Sequence, residues 1–426
     1  MIKSRLLLAA STLALCATGA LAADLPSRAS APAFVAPMFT WTGFYAGVHA
    51  GYTFGSSEVS LGGLGNLDGI GSNGWLVGGK LGYDWQFAQR WVAGLVVDGS
   101  ISDVNSELRI LGFNAEVAAK HAYSVRARLG YLLSPSTMLY GTAGWSWMKA
   151  KLTAGPVNIS ETFDGFVLGA GIETNLSGNW FLSAEYLYNF YGEKTFVGVL
   201  GVKPSAGEAR IGLSYKFGGV GPASAYPVFA TAATSWTGFH LGVQAGYDFT
   251  NTSITAAPLL SFRGIGSQGF TGGLLAGYDW QMLPNWVVGI EADASISSVE
   301  STLTVLGVNA VTAKSDWNAA VRARVGYLFT PNALVYVGAG YGWTDASVTT
   351  PLPAINNSQT FGGFQLAAGV EAKIAQNWSA RAEYVHTFYD AETYIGPVRW
   401  QPESGKYRLG VSYRFGGAAA PVLARY

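Results

Sequence analysis

The side chains best equipped for chemistry in this 426-residue chain are charges set at even spacing. Arg126 and Arg128 flank Ala127, Glu208 and Arg210 flank Ala209, and Lys80 stands four residues before Asp84. Acids and bases held together could transfer protons, and a ring of one sign could select ions. A balanced set could instead neutralise itself as ion pairs. The four histidines, His49, His121, His240 and His386, are scattered. A metal or haem site would need several donors converging on one point. No Ser/His/Asp grouping is visible, so neither catalysis nor a cofactor is expected.

Even spacing places these charges on one face of strands, whose side chains alternate with period two. In Tyr123–Leu133 the odd positions are Tyr123, Val125, Ala127, Leu129, Tyr131 and Leu133, while Ser124, Arg126, Arg128 and Gly130 lie between them. Ala209, Ile211, Leu213, Tyr215 and Phe217 likewise oppose Glu208, Arg210, Ser214 and Lys216. Eight such segments are expected, near 40–54, 74–87, 90–104, 115–133, 137–152, 163–176, 179–194 and 205–217. Tight turns at Ala88-Gln89, Ser134-Pro135-Ser136 and Ser177-Gly178 alternate with longer polar or glycine-rich loops at 55–73, 105–114, 153–162 and 195–206.

The whole pattern occurs twice. WTGFYAGVHAGYTF at 41–54 returns as WTGFHLGVQAGYDF at 236–249, GYDWQ at 82–86 returns at 277–281, and VRAR at 125–128 returns at 321–324. A repeat this long is a complete module, unlike the short units of solenoids. The second copy keeps none of the first copy's histidines: Gln244 matches His49, while His240 and His386 match Tyr45 and Tyr188.

Only 12% of residues are charged, against 49% hydrophobic and 14% aromatic. Lys3 and Arg5, the apolar Leu6–Ala17 and the small-x-small Ala20-Leu21-Ala22 read as a cleaved secretion signal over 1–22. Cys16, the single cysteine, falls inside it, so no disulfide is expected in the exported chain. Without the signal, 24 bases face 26 acids, and that balance argues against a nucleic-acid partner. No later stretch offers about 18 consecutive apolar residues for a membrane helix.

An exported, aromatic-rich β chain could be a soluble sandwich or lipocalin-like barrel, or a membrane barrel. The apolar face carries large residues and the other face alternates glycine with single charges, which favours apolar outside and polar inside. Short turns at one end, long loops at the other and strand-end aromatics (Trp41, Phe54, Trp85, Trp91, Trp147, Trp180) fit a transmembrane antiparallel up-and-down β-barrel. Sixteen strands could close as two tandem eight-stranded barrels or as one sixteen-stranded barrel. Residues 219–235, rich in Pro and Ala like the leader at 23–40, favour two: 41–218 and 236–416, followed by a tail at 417–426.

On this assignment the first lumen holds Lys80, Arg126, Arg128, Arg210 and Lys216 against Asp84, Asp98, Glu173, Glu185 and Glu208. The second holds Arg322, Arg324, Arg381, Lys406, Arg408 and Arg414 against Asp248, Asp279, Glu291, Asp293, Glu371 and Glu383. Balanced sets predict a salt-bridged lumen, since an eight-stranded barrel is just wide enough for side chains to fill.

WTGFYAGVHAGYTF after an Ala/Pro leader, GYDWQ, VRARLGYL, AEYLY and the late YRF together resemble the alphaproteobacterial outer-membrane immunogenic proteins, which are porin-family, OmpA-like small barrels. Both copies carry the resemblance. It implies an outer-membrane location, antigenic surface loops, and contact with lipopolysaccharide, the barrel-assembly machinery and envelope or host partners. Relatives that bind haemin make a haemin-binding surface protein a further reading, beside a passive small-solute porin. The chain departs from the group in having two copies and in continuing after Phe415 with GGAAAPVLARY.

Overall fold

The computed structural model describes residues 40–61, 65–110, 113–154, 156–196, 200–217, 235–256, 260–305, 308–351, 354–395 and 398–415. The expected signal, the linker apart from Ser235, and the tail lie outside these residues. The first copy forms β1 (Gly43–Leu61), β2 (Gly65–Gln86), β3 (Trp91–Ile110), β4 (Phe113–Ser134), β5 (Thr137–Ala154), β6 (Val157–Ser177), β7 (Trp180–Tyr191), β8 (Lys194–Phe196) and β9 (Leu200–Phe217). The second forms β10 (Gly238–Ala256), β11 (Leu260–Leu283), β12 (Trp286–Val305), β13 (Val308–Thr330), β14 (Ala333–Pro351), β15 (Ala354–Lys373), β16 (Trp378–Tyr389), β17 (Glu392–Ile395) and β18 (Val398–Arg414). No helix occurs among the described residues.

Every pairing is antiparallel, and the registers run in two circuits. β1 pairs with β2 on one edge and with β9 on the other over almost its whole length. β10 does the same with β11 and β18. A single sixteen-stranded wall would need β1 and β18 side by side; instead β18 has its two edges filled by β10 and β16. Short β8 and β17 thicken the hairpins that lead into β9 and β18.

The stretches expected as long loops are mostly strand. Only 62–64 separate β1 from β2, and only 111–112 separate β3 from β4. Their Ser-, Thr- and Val-containing sequences still alternate, and each added rung satisfies backbone groups that a coil would leave to water. The short turns lie where expected, give or take a residue. One of them uses Gly178 at φ +54°, a left-handed value that favours glycine.

The faces are as the alternation predicts. Phe44, Leu81 and Ile296 point outward with 67%, 64% and 76% of their surface exposed, whereas Asp84 and Asp279 inside are at 0%. Near the short turns the outward aromatics pair edge to face: Trp91 with Tyr131, Trp180 with Tyr215, Trp286 with Tyr327 and Trp378 with Tyr413, each at 5.2 Å between ring centres.

Two residues assigned to such girdles are elsewhere. Trp41 is buried under its own barrel and Phe54 is buried between the two copies. The copies meet because their long-hairpin ends open towards each other. β2 and β3 pair only from Gln86–Val92 to Asn73–Asn105. Beyond that point β3 pairs with the tip of β11 (Leu260↔Ile110), and β2 with the tip of β12 (Leu303↔Leu67). All eighteen strands therefore join in one continuous closed network.

The junction is pseudo-symmetric. Ile70 pairs with its counterpart Ile265, and a Cβ on Gly71 would lie 2.8 Å from Gly266 Cα, the matching glycine. Phe54 stacks on its counterpart Phe249 at 6.5 Å. Phe249 fits over Gly207 and Phe54 over the equivalent Gly405, where a Cβ would come within 2.3 Å of either ring. Each copy offers the same patch to the other, as in an isologous dimer interface.

Val125→Arg, on the outward face of β4 and well inside the span from the Trp91–Tyr131 girdle, should destabilise folding into lipid vesicles by about 2–4 kcal/mol. Urea titration of vesicle-folded protein measures it. A change near zero would refute the outward, lipid-facing assignment.

Candidate functional site

The floor of each lumen is built by the repeated tryptophan. In WTGF the glycine takes a positive φ, +149° at Gly43 and +144° at Gly238, so the chain turns under the barrel just before its first strand. Trp41 Nε1 then donates to Pro135 O at 3.0 Å, and Trp236 Nε1 donates to Pro331 O at the same distance. The glutamine of GYDWQ clamps the same segment: Gln86 N donates to Thr42 Oγ1, and Gln281 N to Thr237 Oγ1, both at 2.9 Å.

Above this floor lies a four-charge cluster. Arg128 bonds Asp84 through two nitrogens and reaches Glu173 at 3.0 Å. Lys216 bonds the same Asp84 and lies 3.4 Å from Glu173. Two bases thus share two acids. Aromatic rings seal them: Lys216 sits 4.6 Å above Trp41 and 5.0 Å from Phe181, and Arg128 is 4.7 Å from Tyr45. The second copy repeats this layer. Arg324 holds Asp279 at 2.6 Å and Glu371 at 3.0 Å, and Arg414 holds Asp279 at 2.8 Å.

The next layer is less uniform. In the first copy Arg126 bridges Asp98 at 2.7 Å and Glu185 at 3.1 Å, while Arg210 bridges Asp98 at 2.8 Å and Glu208. Lys80 donates to Ser183 Oγ at 2.9 Å. In the second, Arg322 meets Asp293 at 2.6 Å and Glu383 at 3.6 Å, and Arg408 meets Asp293 at 2.7 Å.

Four of the charge changes between the copies form two pairs. Glu291 replaces Val96 and Arg381 replaces Ser183, and these two newcomers bond each other at 2.5 Å. Asp248 replaces Thr53 and Lys406 replaces Glu208, and they lie 3.6 Å apart. His240, in place of Tyr45, sits between Asp279 at 3.5 Å and Glu291 at 3.4 Å. A charge buried here without a partner is costly, so an added acid needs an added base.

The structure places all twenty-two charges assigned to the lumens from the sequence inside the two barrels, in two clusters of ion pairs. Lys80 is the one member whose direct partner is a hydroxyl. Glu291 and Arg381 are as central as any of them, and the alternation places both on the polar faces of β12 and β16. Lumen glycines make room for this packing: a Cβ on Gly94 would lie 2.3 Å from Asp84 Oδ1, and one on Gly289 would lie 2.1 Å from Asp279 Oδ1.

The histidines do not converge. His49 bonds Ser100 Oγ at 2.9 Å in the first lumen, and His121 is exposed. His386 lies at the junction between copies, 2.7 Å from Glu403 and 2.8 Å from the Tyr384 hydroxyl. Among the described residues no group of three or more His, Cys, Asp or Glu is placed to hold a metal ion.

The family model described as outer membrane protein beta-barrel domain matches twice, at residues 8–217 and 220–415. The chain is 35% identical over 236 residues to the 31 kDa outer-membrane immunogenic protein of Brucella melitensis, covering 49% of this chain and 98% of that protein. It is 31% identical to the 22 kDa outer membrane protein of Rhizobium leguminosarum, over 43% of this chain and 80% of that one. Among solved structures, the attachment invasion locus protein Ail of Yersinia pestis aligns with 41% of this chain and 99% of its own, at 20% identity and a TM-score of 0.24.

Asp84→Ala should strand Arg128 and Lys216 and destabilise the folded barrel by about 3–5 kcal/mol. In the second copy, Asp248→Thr and Lys406→Met should each cost more alone than expected from the double variant. Their coupling in urea unfolding should be about 0.5–3 kcal/mol. Strictly additive losses would show that these two charges do not compensate each other.

Proposed function

Since the chain belongs to the outer-membrane protein β-barrel family as a tandem repeat, located in the outer membrane, we propose that it works as a non-enzymatic scaffold. It would present its long hairpins at the cell surface and support the envelope, with both lumens closed by their ion pairs. The observation that carries this reading is the pairwise replacement of lumen charges between the copies. A filter would keep an excess of one sign. Here acids and bases are nearly balanced in each copy, and the retained layer is sealed by Trp41 or Trp236.

Such a scaffold would contact lipopolysaccharide and lipid on the outward face, the assembly machinery during insertion, and envelope or host partners at the hairpin tips. Export would remove 1–22, and 41–218 and 236–416 would fold as separate barrels joined by 219–235.

Purified protein in planar bilayers should give no large, long-lived conductance steps, and liposomes carrying it should not admit small solutes. Asp84→Ala combined with Arg128→Ala, which empties the floor cluster, should raise conductance above that baseline. Steps of porin size in the unaltered protein would overturn the closed-lumen reading in favour of a diffusion channel.

A further inference from the structure

Below the aromatic junction a cavity of about 990 Å³ lies between the outer walls of the two barrels. Small residues at equivalent places line both sides: Ala50 and Ala184 in the first copy, Ala245 and Ala382 in the second, with Ala209 and Ala368 beside them. These positions belong to the outward face, continuous with the lipid-facing surface of each barrel. The ion pairs of both lumens lie behind the walls and leave the cavity apolar.

The junction closes this space at its long-hairpin end. Tyr186 stacks on Tyr407 at 4.2 Å, Tyr188 packs on Tyr247 at 5.2 Å, and the equivalent His386 packs on Tyr52 at 5.1 Å. From there the cavity extends along β14 and β15 to Val335 and Val370, near the short turns. In outer-membrane barrels the short turns face the periplasm. The cavity therefore reaches into the periplasmic half of the two walls.

Water gains nothing in an apolar space, which stays dry or takes an apolar occupant. Side chains from the two walls are too short to fill it, and its size is that of a ligand site. From this geometry we infer that the crevice is a binding site for the acyl chain of a periplasmic-leaflet phospholipid, gripped between the two copies. This rests on the outer-membrane location and is independent of whether the lumens conduct. The bound chain would add packing between the barrels below their aromatic junction, so the tandem would move as one unit in the membrane.

The test is native mass spectrometry of the full-length protein taken from outer membranes into a mild detergent. The unaltered protein should retain about one phospholipid per chain through washing that strips surface lipid. Ala184→Trp with Ala382→Trp, which fills the crevice, should reduce that retention at least tenfold. Val125→Trp with Val321→Trp, on the outward face of β4 and β13, should leave it unchanged. Heat-modifiable migration reports folding in each case. If the crevice-filling pair does not fold, Ala184→Leu with Ala382→Leu is judged by the same lipid count. Absence of phospholipid from the unaltered protein, retention of lipopolysaccharide alone, or equal retention in the filled and control variants would each overturn the assignment. None of these outcomes bears on conductance, so failure here and failure of the closed-lumen reading are separable.

Discussion

Hydrocarbon offers no partner for a backbone N–H or C=O, so a strand can cross a bilayer only if both of its edges are paired. That requirement closes β1 on β9 and β10 on β18, and the remaining features follow from closure. A closed ring of eight long strands has a narrow inside, about wide enough for side chains to fill, and an outside in contact with lipid. Period-two alternation then sends Phe44, Leu81 and Leu129 outward and Asp84, Arg128 and Glu173 inward. Charges enclosed this way must find each other.

The two copies show how strict that need is. Where they agree, the same acid and base meet over the same tryptophan floor. Where they differ, a new acid arrives with a new base within reach: Glu291 with Arg381, Asp248 with Lys406. Near-balance inside is kept while individual positions change, whereas neither copy keeps the other's histidines. This is the behaviour of a structural network. A catalytic or metal-binding constellation would keep particular groups in place.

The junction between the copies follows a different rule. Its contacts are made by outward residues, mostly aromatic, that in a lone barrel would face lipid or headgroups. Phe54 and Phe249 each seat on a glycine of the opposite barrel, and the splayed ends of β2, β3, β11 and β12 exchange hydrogen bonds. Edges that would otherwise stand open at the hairpin tips are covered by this exchange. Duplication has thus supplied each barrel with a partner bearing the same patch.

Much of this was legible in the sequence, because alternation, turn residues and charge sign are local properties. The strand segments, the lipid face, the short turns and the membership of both lumens in Lys80–Lys216 and Asp279–Arg414 all came from period two. Glu291 and Arg381 could be placed inside the barrel by the same parity, although nothing local said that they bond each other. Two kinds of fact needed the tertiary structure. Trp41 and Phe54 look like girdle aromatics, yet one turns under the lumen at Gly43 and the other is covered by the second copy. The hairpin tips read as loops, but their backbone groups pair with strands far away in the chain. Alternation decides which side of a strand a residue faces; only the packed structure decides what stands on that side.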